Sequence, residues 1–134
     1  SAFGEHIIVK EVEDAIEKTC KSTKIIINEF TVAPKFGIDR STSFHEWFID
    51  FESEEASTNQ FAQILDKNLQ DQNKYYKDLI LGKVISPLKI TKIKKHGFKK
   101  YMNSIGKLGG QNKIPKISND RTIAEKLHKL NLII

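Results

Sequence analysis

FHEWFIDF, residues 44–51, places His45, Trp47, Ile49 and Phe51 on one side of an extended chain and Phe44, Glu46, Phe48 and Asp50 on the other. Side chains of a strand alternate between faces, so this period of two predicts a β-strand with one strongly apolar face. Upstream, IIINEFTV at 25–32 is rich in β-branched residues and stops at Ala33-Pro34, which predicts a second strand. KFGIDRSTS, residues 35–43, is then the loop that joins them. The apolar run from Phe3 to Val9 predicts a further strand. From Glu11 onward, Val12, Ala15, Ile16, Thr19 and Cys20 recur at helical spacing, with acids in the first turn where the helix dipole favours them. Ser57, Thr58, Asn59 and Gln60 predict a capping box ahead of a second helix carrying Phe61, Ile64, Leu65 and Leu69 as its apolar stripe. The 74–82 segment either continues that helix or forms a turn of its own, ending at Gly82. LKITKI at 88–93 predicts a strand and residues 97–105 a short helix with Phe98, Tyr101, Met102 and Ile105. Ser118 or Asn119 then caps a last helix that turns Ile123, Leu127 and Leu130 inward. The order β-α-β-β-α-β-α predicts an α+β fold, a small mixed or antiparallel sheet with its helices gathered on one side.

The chain has 134 residues, 39% of them hydrophobic and 29% charged, the balance of a globular domain and not of a disordered or fibrous chain. No repeat or Pro/Gly/Ser-rich linker divides it, so one domain is expected over residues 1–134. No apolar run is long enough for a bilayer, which predicts no membrane partner. The start, SAFGEHII, has neither the basic nor the long apolar region of a secretory leader. Cys20 is alone, which rules out an internal disulfide and suits a reducing, cytoplasmic setting. The net charge of +5 conceals a division. Residues 1–73 hold 7 Lys and Arg against 14 Asp and Glu, and residues 74–134 hold 15 against 3. A basic half attracts nucleic acid, an acidic surface or a phosphate-bearing ligand. A solvated lysine-rich face is the plain alternative.

GKLGGQNKIPKISNDR, residues 106–121, is the stretch in that half that fits neither helix nor strand. Its glycines do not make a phosphate loop, because Gly110 is followed by Gln111 where Lys-Ser/Thr is required, and no βαβ turn precedes them. Gly109 and Gly110 allow backbone conformations closed to other residues, while Pro115 restricts Ile114 and fixes the exit. Lys113, between the two, is thereby a lysine that a loop can deliver to a phosphate or a developing oxyanion as a point charge. His45 beside Glu46 raises acid-base chemistry, against the plainer reading of a satisfied histidine on the apolar face of a strand. Glu11, Glu13, Asp14 and Glu17 read as a helix start and not as metal ligands, since no His or Cys lies at ligand spacing with them. KIKKHGFKK, residues 92–100, is the best candidate for binding nucleic acid, but aromatic platforms beside its lysines are few.

Four stretches, SAFGEH followed by EVEDAIEKT, IINEFTVAPKF, FHEWFIDFE and SIGKLGGQNKIPKISNDR, run in the same order through the C-terminal domain of the Gretchen Hagen family of auxin-responsive acyl-acid amido synthetases. The chain resembles that domain over nearly its whole length, more closely in its bacterial branch. The resemblance implies a mobile lid on an adenylate-forming enzyme, a ligase that uses ATP and Mg2+ to convert a carboxylic acid to an acyl-AMP and then passes the acyl group to an amino acid amine. The implied partners are the N-terminal domain of the same enzyme and the carboxylic acid and amino acid substrates. Lys113 matches the family lysine that reaches the phosphate during adenylation, with Gly109, Gly110, Gln111 and Asn112 shaping its loop. His6 stands where plant members carry a lysine that touches AMP, and Glu5 beside it is implied as a hinge or nucleotide-site contact. The phosphate-gripping loop and the ribose-binding acid are not found in the chain, so no cofactor and no activity are expected of the 134 residues by themselves. A basic nucleic-acid-binding module, centred on residues 89–100, is the competing expectation.

Overall fold

In the computed structural model, residues 2–53, 56–107 and 113–134 are described. Helix α1 (Val9–Thr23) is followed by strand β1 (Ile27–Lys35), a 3-10 turn (Arg40–Thr42), strand β2 (Phe44–Phe51), helices α2 (Thr58–Gln72) and α3 (Lys74–Leu81), strand β3 (Lys89–Lys92) and helices α4 (Gly97–Ser104) and α5 (Thr122–Lys129). This is an α+β fold on a three-stranded mixed sheet in the order β1-β2-β3. β1 and β2 are antiparallel, with Val32 opposite Trp47, and the register shifts between Ile27 and Glu29. β2 and β3 are parallel, with Trp47 opposite Ile90. A parallel neighbour needs a long crossover, and α2 with α3 supplies it.

Three expectations are corrected. Phe3 to Val9 is not a strand. Gly4 and His6 both take left-handed φ, +81° and +51°, which breaks the extended alternation, and α1 already begins at Val9. β1 does not stop at Ala33-Pro34 but continues to Lys35, because it lies at the sheet edge where proline's missing N–H is tolerated. Nor do the helices gather on one side. Val12, Ala15 and Ile16 of α1, Phe61, Leu65 and Leu69 of α2 and Tyr76 of α3 pack with Phe30, Val32, Trp47, Ile49 and Phe51. Phe98 and Tyr101 of α4 and Ala124 and Leu127 of α5 pack with Ala33 and Phe48 on the opposite face. β2 is therefore a central strand buried on both sides, and Trp47, Phe48 and Ile49 have no exposed surface. Burying each such side chain stabilises the fold by about 1.5–3 kcal/mol.

The helix ends also differ from expectation. Ser57 precedes α2 but its side chain forms no cap bond. Before α5 the cap position is Arg121, whose side chain forms no cap bond, and Asp120 one residue earlier accepts the Thr122 N–H at 3.0 Å, a bond that holds its carboxyl below the ordinary range. The Ser118 N–H is committed instead to the Val32 carbonyl. Inside the larger core, the Asp66 carboxylate accepts from the Tyr76 hydroxyl, from the Leu88 N–H at 3.1 Å and from Gln70 Nε2 at 2.8 Å. One acid thus ties α2, α3 and the approach to β3 together. Burial first, then the neighbouring Asp66 charge and bond, push the Tyr76 hydroxyl well above its ordinary value, so it remains a donor.

Candidate functional site

The second face of the sheet carries the polar side of FHEWFIDF. Glu29 of β1 lies opposite Asp50, and Ala33 opposite Glu46. These acids meet bases from the far end of the chain. Arg121 Nη1 donates to Glu46 Oε1 at 2.6 Å and reaches the Pro34 carbonyl at 3.4 Å, while Thr91 Oγ1 donates to Glu46 Oε2 at 2.5 Å. The Lys116 ammonium pairs with Glu29 and stands 4.7 Å from the centre of the Phe30 ring. Between these two ion pairs the backbone runs along the edge of β1. Thr31 Oγ1 donates to the Pro115 carbonyl at 2.6 Å, Val32 N–H to the Lys116 carbonyl at 2.9 Å, and Ser118 N–H to the Val32 carbonyl at 2.8 Å.

Lys113 stands immediately before this clamp. Its neighbour Ile114 is buried in the second core, while Lys113 itself is exposed. Among the described residues its ammonium has no hydrogen-bond or ion-pair partner. The exit expected from Pro115 is also held to β1 by backbone hydrogen bonds and flanked by two charge pairs. On the approach, Gly106 takes φ +77°, a conformation closed to most other residues. Gly109, Gly110, Gln111 and Asn112 lie outside the described residues.

Lys113 lines an open cleft of about 490 Å³ together with His96, Lys99, Asn103 and Lys107. Asp50 is at the same cleft. Burial pushes its carboxyl up, against the bond from Asn28 Nδ2 at 3.4 Å and the His96 N–H and ring charge. Asp50 thus faces the start of α4 from β2. Gly97 is required there, because a Cβ would stand 2.5 Å from Ile93 Cγ2.

Glu5 and His6 lie apart from this cleft. Glu5 is buried, its Oε2 2.8 Å from His45 Nε2 and its Oε1 accepting the Phe3 N–H at 3.3 Å. The His45 ring stacks between Phe3, 5.6 Å between centres, and Tyr76, 5.1 Å. Burial alone raises the Glu5 carboxyl, but the hydrogen bond and charge of His45, with backbone N–H groups, outweigh it and hold the carboxyl below its ordinary value. His45 is thus a partnered core residue, and its pairing with Glu5, 40 positions away in sequence, gave no local signal. His6 is exposed, its ring edge-on to Tyr75 and its carbonyl accepting from Asn73 Nδ2 at 3.5 Å. Asn73 also donates to Glu11 at 3.1 Å and caps α3, so the segment bearing His6 is tied to three helices.

The 92–100 run does not form an aromatic platform. Phe98 is buried in the second core, and Lys95 pairs with Glu52 at 3.7 Å. Among the described residues no three His, Cys, Asp or Glu side chains converge as a metal site, and no helix is long and apolar enough to cross a membrane.

The sequence profile of the GH3 family C-terminal domain matches residues 10–122. No curated protein matches the chain in sequence. Two solved structures share its fold over 94% of its length at 17% identity. They are "GH3.15 acyl acid amido synthetase", TM-score 0.69, and "AtGH3.15 acyl acid amido synthetase in complex with 2,4-DB", TM-score 0.63. The chain covers 24% and 23% of those structures, about a quarter of their length.

Proposed function

The chain belongs to the GH3 family as its C-terminal domain, and from that premise we propose that it is the mobile lid of an ATP-dependent acyl-acid amido synthetase. The rest of that enzyme supplies the nucleotide and acyl pockets. Lys113 acts in adenylation. Its ammonium lies between the substrate carboxylate and the α-phosphate, two anions that repel until a cation separates them, and it stabilises the negative charge that builds on the phosphate as pyrophosphate leaves. The acyl group of the acyl-AMP then passes to the amine of an amino acid. A point charge on a flexible stem suits this task, because the lid brings it in only when closed.

The observation that carries the reading is the placement of Lys113, exposed and without a partner among the described residues, directly before a segment clamped to β1. A cation so placed is presented outward by a rigid base. Glu5 and His45 act by position, fastening the start of the chain to the core at the end away from Lys113. Any Mg2+ that accompanies ATP is assigned to the phosphate oxygens and to residues beyond this chain. Bacterial origin and a cytoplasmic setting belong to the same proposal.

Lys113→Ala in the full-length enzyme tests it. Losing a preorganised charge of this kind costs about 3–4 kcal/mol of barrier, so acyl-AMP formation followed by pyrophosphate exchange is expected to fall roughly a hundredfold to a thousandfold. Exchange at the parental rate would overturn the assignment.

A further inference from the structure

Lys99, Lys107 and Lys113 line one cleft, and among the described residues none of the three ammonium groups has an acidic or hydrogen-bonding partner. The acids of the same cleft are already committed. Glu29 is neutralised by Lys116, and Asp50 accepts from Asn28 at 3.4 Å. With Glu29 paired, the three lysines at the cleft stand against the single carboxyl of Asp50, which leaves a surplus of positive charge. At about 490 Å³ its volume falls among small-ligand sites.

We propose that this cleft binds a short phosphate chain, with inorganic diphosphate as its simplest occupant. A carboxylate or a single phosphate engages one or two ammonium groups. A diphosphate carries enough charge and length to meet several at once, and lysines, as point charges, bind phosphate without needing a planar fork. Asn103, on the same helix as Lys99, offers an amide donor beside them. That the natural occupant is the diphosphate end of ATP, held while Lys113 faces the α-phosphate, rests on the adenylation reading above. The affinity of the cleft for diphosphate does not.

Titration calorimetry of the 134-residue chain with sodium pyrophosphate tests the proposal, with amide shifts read in parallel by NMR. Saturable one-site binding is expected, with shifts centred on residues 97–107 and 113. Affinity should weaken as salt is added and be lower for orthophosphate. Lys99→Ala and Lys107→Ala should each reduce affinity about fivefold. Both side chains are exposed, and unchanged circular dichroism confirms that the variants fold. Absence of saturable binding, or binding that neither variant weakens, overturns the proposal. So does tighter, more steeply salt-dependent binding of a single-stranded oligonucleotide, which would make the surface a nucleic-acid groove. The two proposals fail separately. Pyrophosphate binding that survives Lys99→Ala and Lys107→Ala, beside a full-length Lys113→Ala enzyme that no longer adenylates, removes the cleft and leaves the lid. The expected binding beside an unaffected Lys113→Ala enzyme does the reverse.

Discussion

The two faces of β2 are built from different chemistry. Toward α1, α2 and α3, Trp47, Ile49 and Phe51 meet an almost wholly apolar layer, in which Asp66 with Tyr76 and Asn68 with Thr19 satisfy each other while Trp47 Nε1 and His45 Nδ1 have no partner among the described residues. Toward α4 and α5, Phe48 packs on Leu127 and Ala124, but Glu46 and Asp50 flank it and take bases and donors from distant segments. The first face holds the fold by removing surface from water. The second fastens down the 114–121 segment that directly follows Lys113. The charge division of the sequence has the same origin in part, because Glu29, Glu46 and Glu52 of the acidic half pair with Lys116, Arg121 and Lys95 of the basic half.

If the faces divide the work in this way, substitutions on them should differ in size and in what they move. Trp47→Ala should cost the most, about 3–5 kcal/mol by denaturant unfolding, since its fully buried indole leaves a cavity between β2 and the helices that cover it. Arg121→Ala should cost less, about 2 kcal/mol, because it breaks a charge-assisted bond at a partly exposed site. Its distinguishing mark is faster hydrogen exchange at the Val32 and Ser118 amides, and exchange unchanged there would mean that the ion pair does not fasten the clamp.

The buried acids separate the faces by sign. The Glu5 carboxyl is held below its ordinary value, so its contribution to stability is present above that value and is lost as pH falls through the lowered one. Glu5→Gln should flatten the acid limb of a stability profile. The Asp50 carboxyl is raised, so the fold favours its neutral form and loses stability as pH rises through that value. Asp50→Asn should therefore be neutral to stabilising near pH 7, and marked destabilisation there would show that the bond the carboxylate accepts from Asn28 outweighs its burial. Smallest of all, Lys21→Ala removes a pair with Glu17 on the exposed side of α1 and should change unfolding by no more than about 0.5 kcal/mol.

Much of this architecture was legible in local pattern. The period of two in FHEWFIDF marked β2 to the residue, and the stripes of α1 and α2 marked their buried faces. The same reading failed at Phe3 to Val9, where composition suited a strand but Gly4 and His6 turn the chain left-handed. It also failed in placing all helices on one side, because Phe48 between Glu46 and Asp50 reads as one apolar residue on a polar face. Only α5 shows that the flanking acids are covered as well. Within the candidate site, residue type and position in the loop singled out Lys113, but not the bonds that hold residues 115–118 to β1. Lys99 and Lys107 drew attention only as part of a basic surface, since nothing in their spacing shows that they share a cleft with Lys113.

The sequence by itself determined the α+β class, the bounds of the FHEWFIDF strand and the charge division, because each depends on residue types and patterns readable along the chain. Tertiary structure alone decided the parallel placement of β3 beside β2, the Glu5–His45 pair, the clamp of residues 115–118 on β1 and the gathering of three lysines at one cleft. Those contacts join residues tens of positions apart. Such pairings carry no periodicity, and they become favourable only once burial of the two cores has brought their partners within bonding distance.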